Sequence, residues 1–275
     1  MNSTAAKHEA RAFVQTPVFE GLARAGYIAR GLIYIVIGVL AVRLAQGTGG
    51  KPASQQGALQ TISDQSFGHF LLVLMAIGLG GYAIWRAAQV FIGVTPEAGR
   101  HSTMDRIGAA GSAVAYGAFC FVAISILTNS GSAAGGQGRK PRDITATALT
   151  WPAGRLIVGA AGVMFLIVAG YQAYQGLSKR FLRDSKTGEM DRPVRRVFTW
   201  LGVAGLCARG VAFALIGVFI LRAAIDYRPS EAVGLDGALY RLTNQSYGPT
   251  LLLIVALGLI AFGIYSVADA RFRKI

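Results

Sequence analysis

Six apolar runs, spanning roughly residues 25–45, 67–92, 107–128, 154–176, 200–224 and 249–269, constrain this chain more than any other feature. Each reaches the length of about 20 apolar residues that a helix needs to cross the hydrocarbon layer of a bilayer. No water is present in that layer to satisfy backbone N–H and C=O groups, so a spanning run must close its hydrogen bonds internally as a helix. Each Leu, Ile, Val or Phe favours insertion by a few tenths of a kcal/mol, which outweighs an occasional arginine. Six membrane-spanning helices and an all-α fold follow.

Composition agrees. Hydrophobic residues make up 53% of the 275 and charged residues only 15%, where soluble domains carry about 25% charge. The 36 glycines would weaken soluble helices, but in a membrane they let helix backbones approach closely. Cys120 and Cys207 lie inside apolar runs and are expected to act as small buried hydrophobes, not as a redox pair.

A net charge of +14 would suit a nucleic-acid partner, but its distribution does not. Basic residues gather between the apolar runs, most densely at Lys179, Arg180, Arg183, Lys186, Arg192, Arg195 and Arg196. Of these, Lys179, Arg180, Arg183, Arg195 and Arg196 are expected to face lipid headgroups, since a juxtamembrane cation gains about 1 kcal/mol beside anionic lipid. The bilayer, with anionic lipids at its cytoplasmic face, is thus the expected partner, and nucleic acid is not. Placing the N-terminus inside puts 15 Lys and Arg in segments 1–24, 93–106, 177–199 and 270–275, against 6 in segments 46–66, 129–153 and 225–248. That bias predicts cytoplasmic N- and C-termini in a bacterial inner membrane.

The chain also repeats itself. Residues 26–43 (GYIARGLIYIVIGVLAVR) align with 205–222 (GLCARGVAFALIGVFILR), pairing Arg30 with Arg209 and Arg43 with Arg222. GALQTISDQSFG (57–68) then matches GALYRLTNQSYG (237–248), and the following helices share Tyr82 with Phe262 and Trp85 with Tyr265. A weaker middle copy places Gly108, Tyr116 and Cys120 where the first has Gly26, Tyr34 and Gly38, with Ser112 in place of the arginine. Each unit holds two spans, so the units are parallel repeats about an axis along the membrane normal. A six-helix bundle with pseudo-threefold symmetry is the expectation. Its axis is either packed shut or hollow, and both readings stay open here.

The order A-R-G, then G-A-L, then [DN]-Q-S-[FY]-G opening a glycine- and aromatic-rich helix, resembles the bacterial membrane family DUF1206 from about residue 19 to the end. That resemblance implies the architecture and brings no catalytic residue. The organisation expected is an N-terminal segment 1–18, repeats at 19–96, 97–180 and 194–275, and a basic linker at 181–193.

Arg30 and Arg209 are the first site candidates, because a charge set inside a span costs about 2.5–3.5 kcal/mol and so needs a reason to be there. A long side chain near the cytoplasmic end can instead snorkel to phosphate. Together with Ser112, Tyr34 and Tyr116, the two arginines could line an anion site on the bundle axis. Arg43 and Arg222 are expected at the opposite interface, and the small residues Ala109, Ala113 and Gly117 on a tight packing ridge. Trp85, Trp151, Trp200 and Tyr265 suit an interfacial aromatic belt. Asp64 and Asn244 read as N-caps of the helices that follow them, with the preceding G-A-L stretch lying as a short amphipathic helix at the outer interface.

His8, His69 and His101 have no partner at ligand spacing, and no nucleophile or phosphate-loop motif occurs. No enzyme, metal or cofactor is implied. No Asp or Glu lies mid-span, which counts against proton coupling; Asp269, Gln89 and Gln175 sit at span ends. Two functions stay in play: a protein that binds or passes a small solute or anion along its axis, or an accessory component that packs with partners and anionic lipids. A homo-oligomer fits either.

Overall fold

The computed structural model describes residues 17–48, 53–92, 103–128, 141–244 and 247–273. Nine α-helices occur among them: α1 (Pro17–Ala45), α2 (Gln55–Ser63), α3 (Gly68–Ile92), α4 (Thr103–Leu127), α5 (Pro141–Leu149), α6 (Gly154–Leu177), α7 (Arg192–Ile225), α8 (Leu235–Thr243) and α9 (Gly248–Phe272). The six long ones, α1, α3, α4, α6, α7 and α9, are each long and apolar enough to cross a membrane. The segment 1–18 lies almost wholly outside the described residues.

Each repeat has the form long helix, nine-residue helix, four connecting residues, long helix. The middle repeat keeps this plan although it lacks the G-A-L run, its short helix reading PRDITATAL. One geometric demand explains why all three survive. A Cβ built on Gly154 would fall on the carbonyl oxygen of Ala148, on Gly68 it would meet the carbonyls of Ile62 and Ser63, and on Gly248 that of Leu242. The long helix can start directly beneath the short one only if its first residue has no side chain. The G-A-L residues Ala58, Leu59, Ala238 and Leu239 are fully buried, so the short helices seat one apolar face against the long ones.

Asp64 and Asn244 occupy positions other than those expected. They end the short helices as C-caps, the backbone N–H of Asp64 donating to Gln60 and Ile62 and that of Asn244 to Leu242. Three residues separate each of them from the next helix, and the N-cap of α9 is Tyr247.

Neighbouring repeats meet by one rule: the second long helix of a unit packs on the first of the next, α3 on α4, α6 on α7, and α9 on α1. Within units, α1 packs on α3 and α7 on α9, whereas α4 and α6 of the middle unit show no comparable packing among the described residues. The six helices therefore form an arc, α4–α3–α1–α9–α7–α6, open between its two ends. This arrangement does not establish the threefold symmetry expected of three repeats.

Glycine sets how closely the central helices approach. A Cβ on Gly31 would lie 2.7 Å from the carbonyl oxygen of Gly263, and one on Gly38 2.9 Å from that of Ala256. The ridge expected at Gly117 is different, because a Cβ there would meet nothing. Trp85 and Tyr265 are also corrections. Both are buried among other rings, Trp85 beside Tyr27 and Tyr82, Tyr265 beside Phe181 and Phe198, while Trp151 and Trp200 are exposed as an interfacial belt requires.

The basic linker is anchored through its non-basic residues. Phe181 is buried against Gly202, Phe198 and Tyr265, and the Lys186 N–H donates to the Phe272 carbonyl at 2.7 Å. Lys179, Arg180, Arg183, Arg195 and Arg196 all project outward. Lys179 ends α6 in a left-handed conformation, φ 54°. That region costs an L-residue about 1–2 kcal/mol. Lys179→Gly should therefore stabilise the protein by about 0.5–1 kcal/mol, read as a raised unfolding midpoint in detergent; a lowered midpoint would mean that the lysine charge outweighs the backbone strain.

Candidate anion site

Arg30 leaves α1 about two turns inside its apolar stretch and is 8% exposed. Its Nε donates to the Ser266 hydroxyl of α9 at 2.7 Å, and one terminal nitrogen reaches the Tyr82 hydroxyl of α3 at 3.5 Å. Its guanidinium rests on the rings of Tyr27, Phe262 and Tyr82 at 4.6, 5.3 and 5.8 Å. A desolvated cation–π contact contributes about 2 kcal/mol, so these neutral neighbours offset the cost of inserting the charge. They do not cancel its sign. Among the described residues Arg30 has no carboxylate in ion-pair contact.

Arg209, its counterpart on α7, is held differently. Its guanidinium lies 4.4 Å from the same Phe262 ring, 5.1 Å from Tyr34 of α1 and 5.3 Å from Phe213 of its own helix. The side chain is only part-buried, yet its Nε is fully buried and has no acceptor. An unmet buried donor costs about 1–3 kcal/mol, and more on a charged group. The two arginines thus share one ring from facing repeats, and one of them keeps a hydrogen bond to give.

Tyr34 and Tyr116 join this group. Tyr34 stacks edge-on against Phe262 at 4.8 Å, and Tyr116 against Tyr82 at 4.6 Å. Tyr82 also meets the Arg30 guanidinium, so Tyr116 brings α4 to the edge of the cluster. Ser112 does not join: its hydroxyl donates to the Gly108 carbonyl one turn back on α4 at 2.8 Å. The residues that sequence reasoning missed are Tyr27, Tyr82, Phe262 and Ser266. Tyr82 and Phe262 carried a signal, since they recur at equivalent positions of two repeats.

Arg86, near the end of α3, donates to the Tyr82 hydroxyl from Nε at 3.0 Å and from a terminal nitrogen at 2.9 Å. Arg24 donates to the Ala270 and Arg271 carbonyls at 3.0 and 3.1 Å, tying the start of α1 to the end of α9. Arg43 and Arg222 are exposed at the other end of their helices. Gln175 donates to Tyr171 at 2.8 Å on the outside of α6, and the side chain of Gln89 lies outside the described residues. Among the described residues no three His, Cys, Asp or Glu gather in a way that could hold a metal.

Comparison with known families decides what this arrangement belongs to. The Domain of Unknown Function (DUF1206) matches the chain three times, over residues 25–93, 107–179 and 204–273. The chain is a DUF1206 protein. The three matches coincide with the three structural repeats, including the middle one. A relative, "Uncharacterized protein YxxB" of Bacillus subtilis (strain 168), is 32% identical over 258 residues, covering 94% of this chain and 92% of the relative. No solved structure matches. The DUF1206 repeat thus supplies the helix pair, and the arginine sites arise where the first and third copies of it meet.

Proposed function

We propose that this DUF1206 protein is a non-enzymatic, multi-pass protein of the bacterial inner membrane that binds a small anion between its first and third repeats. Arg209 is the receiving group and Arg30 the fixed charge behind it. The observation that carries the reading is the orphaned Arg209 Nε, buried beside a second guanidinium that has no carboxylate contact among the described residues. An anion would supply the missing acceptor and relieve the repulsion between two like charges in a poorly screened setting. The termini face the cytoplasm in this reading, on the charge bias of the loops; a cysteine added after Ile275 should resist membrane-impermeant thiol reagents in intact cells.

The test is thermal unfolding of the purified protein against rising sulfate, phosphate and chloride at constant ionic strength. A saturable rise in midpoint is expected for the wild type, and its loss in the Arg30→Ala, Arg209→Ala double variant. Arg209→Lys should retain part of it, since an ammonium keeps the charge but not the planar fork. The alternative, an accessory protein that packs with partners and anionic lipids, draws support from the way Arg30 joins three helices. It would gain if Arg30→Ala lowered the midpoint in every salt while anions left the wild type unmoved.

A further inference from the structure

Resting on that anion reading, we propose that the ligand is a single-chain amphiphile of the bilayer, a long-chain carboxylate, whose head group meets Arg209 and whose tail leaves between α4 and α6. Three observations converge on it. The arc of helices is open at one place, between the two helices of the middle repeat. The inward side chains beside that opening are part-buried, unlike those around Arg30: Tyr116 and Phe119 on α4, Phe165 on α6, and Phe213 next to Arg209 on α7. They form two aromatic pairs, one on each side of the opening, with Phe165 5.9 Å from Phe213 and Tyr116 6.0 Å from Phe119. A lining of this kind suits an alkyl chain and offers little to a hydrated ion.

The end of the bundle nearest the chain termini offers no comparable route past Arg30. Tyr27, Tyr82 and Trp85 are buried there against one another, and Arg24 ties α1 to the last carbonyls of α9. Depth then chooses among lipids. Arg209 stands nine residues beyond Trp200, whose 70% exposed ring marks the interface. At 1.5 Å per residue that is about 13 Å, below the level of phospholipid phosphates. A small carboxylate on one chain can be drawn that far in, and its two oxygens match the guanidinium fork.

The experiment uses the full chain in phosphatidylcholine nanodiscs. Oleate should raise the unfolding midpoint saturably, whereas oleyl alcohol, with the same chain and no charge, should not. An oleate analogue carrying a mid-chain diazirine should label peptides of α4 and α6. Arg209→Ala should weaken the half-saturating oleate concentration about tenfold or more, the loss of one charged hydrogen bond. If that variant does not fold, the wild-type comparison of acid with alcohol and the labelling map still decide. Equal effects of acid and alcohol, or labelling confined to the outer faces of α1 and α9, overturn the proposal. So does saturation by sulfate with no gain from oleate, an outcome that leaves the anion site standing; inertness of every anion, oleate included, removes both.

Discussion

Gly154→Ala is expected to abolish folding, while Gly117→Ala leaves the protein as stable as before. Both glycines sit in long helices of the middle repeat, so composition and propensity treat them alike. Their surroundings do not. A Cβ on Gly154 falls on the Ala148 carbonyl oxygen and comes within 2.8 Å of the Leu149 Cα, both backbone atoms that cannot rotate aside. To admit it, the short helix would have to lift off, uncovering the buried Leu149 and Thr145. The cost should exceed about 4 kcal/mol, the range reserved for severe core disruption. At Gly117 a methyl group meets nothing, so the change should be neutral or mildly stabilising. Gly68→Ala and Gly248→Ala should repeat the Gly154 result, because the same carbonyl clash recurs in each unit. The measurement is recovery of monodisperse protein in detergent and its unfolding midpoint. A Gly154→Ala protein with wild-type stability would show that the short helix is not seated as described.

This contrast also shows where sequence reading succeeds. Spans are legible because a bilayer imposes length and apolarity on any crossing helix, whatever its neighbours. The repeat is legible because the glycine beneath each short helix, and the arginine pair on α1 and α7, recur in register. The short helix of the middle repeat was hidden, since PRDITATAL shares little beyond its final Ala-Leu with the G-A-L copies. Backbone geometry at Gly154, not side-chain identity, conserves its shape within this chain.

The site was legible in part. Arg30, Arg209, Tyr34 and Tyr116 assemble around Phe262 and Tyr82. Which arginine is satisfied could not be read, because that depends on Ser266, a residue more than two hundred positions from Arg30. Aromatic residues at helix ends give the same signal whether they face headgroups or another helix. Trp85 and Trp200 illustrate the two outcomes, one buried and the other exposed. The opening between α4 and α6 left no trace in the pattern of apolar residues, because a face turned to lipid and a face turned to another helix are equally apolar.

Asp269→Ala should destabilise the protein by about 3 kcal/mol, the cost of stranding one member of a buried ion pair. Asp269 ends the last span and is 1% exposed, far less than any other carboxylate in the ion pairs here. Its two oxygens accept from the Ser185 hydroxyl at 3.2 Å and the Arg273 guanidinium at 3.3 Å. Through these bonds it fixes the α6–α7 linker to the end of α9, beside the backbone pairing of Ser185 with Arg273. Asp184 also contacts Arg273, at 3.1 Å, but its side chain is 57% exposed. Solvent screens such a pair to at most about 1 kcal/mol, so Asp184→Ala should be mild. The ordering matters more than either value: Asp269→Ala must exceed Asp184→Ala. A double replacement, Asp269→Leu with Arg273→Leu, should recover much of the loss, since it removes both charges at once. Trypsin supplies a local readout, because Lys179, Arg180, Arg183 and Lys186 all lie between α6 and α7. Cleavage there should accelerate in Asp269→Ala and not in Asp184→Ala. Equal cleavage in the two variants would mean that Phe181 in its seat against Gly202, and not the buried carboxylate, holds the linker down.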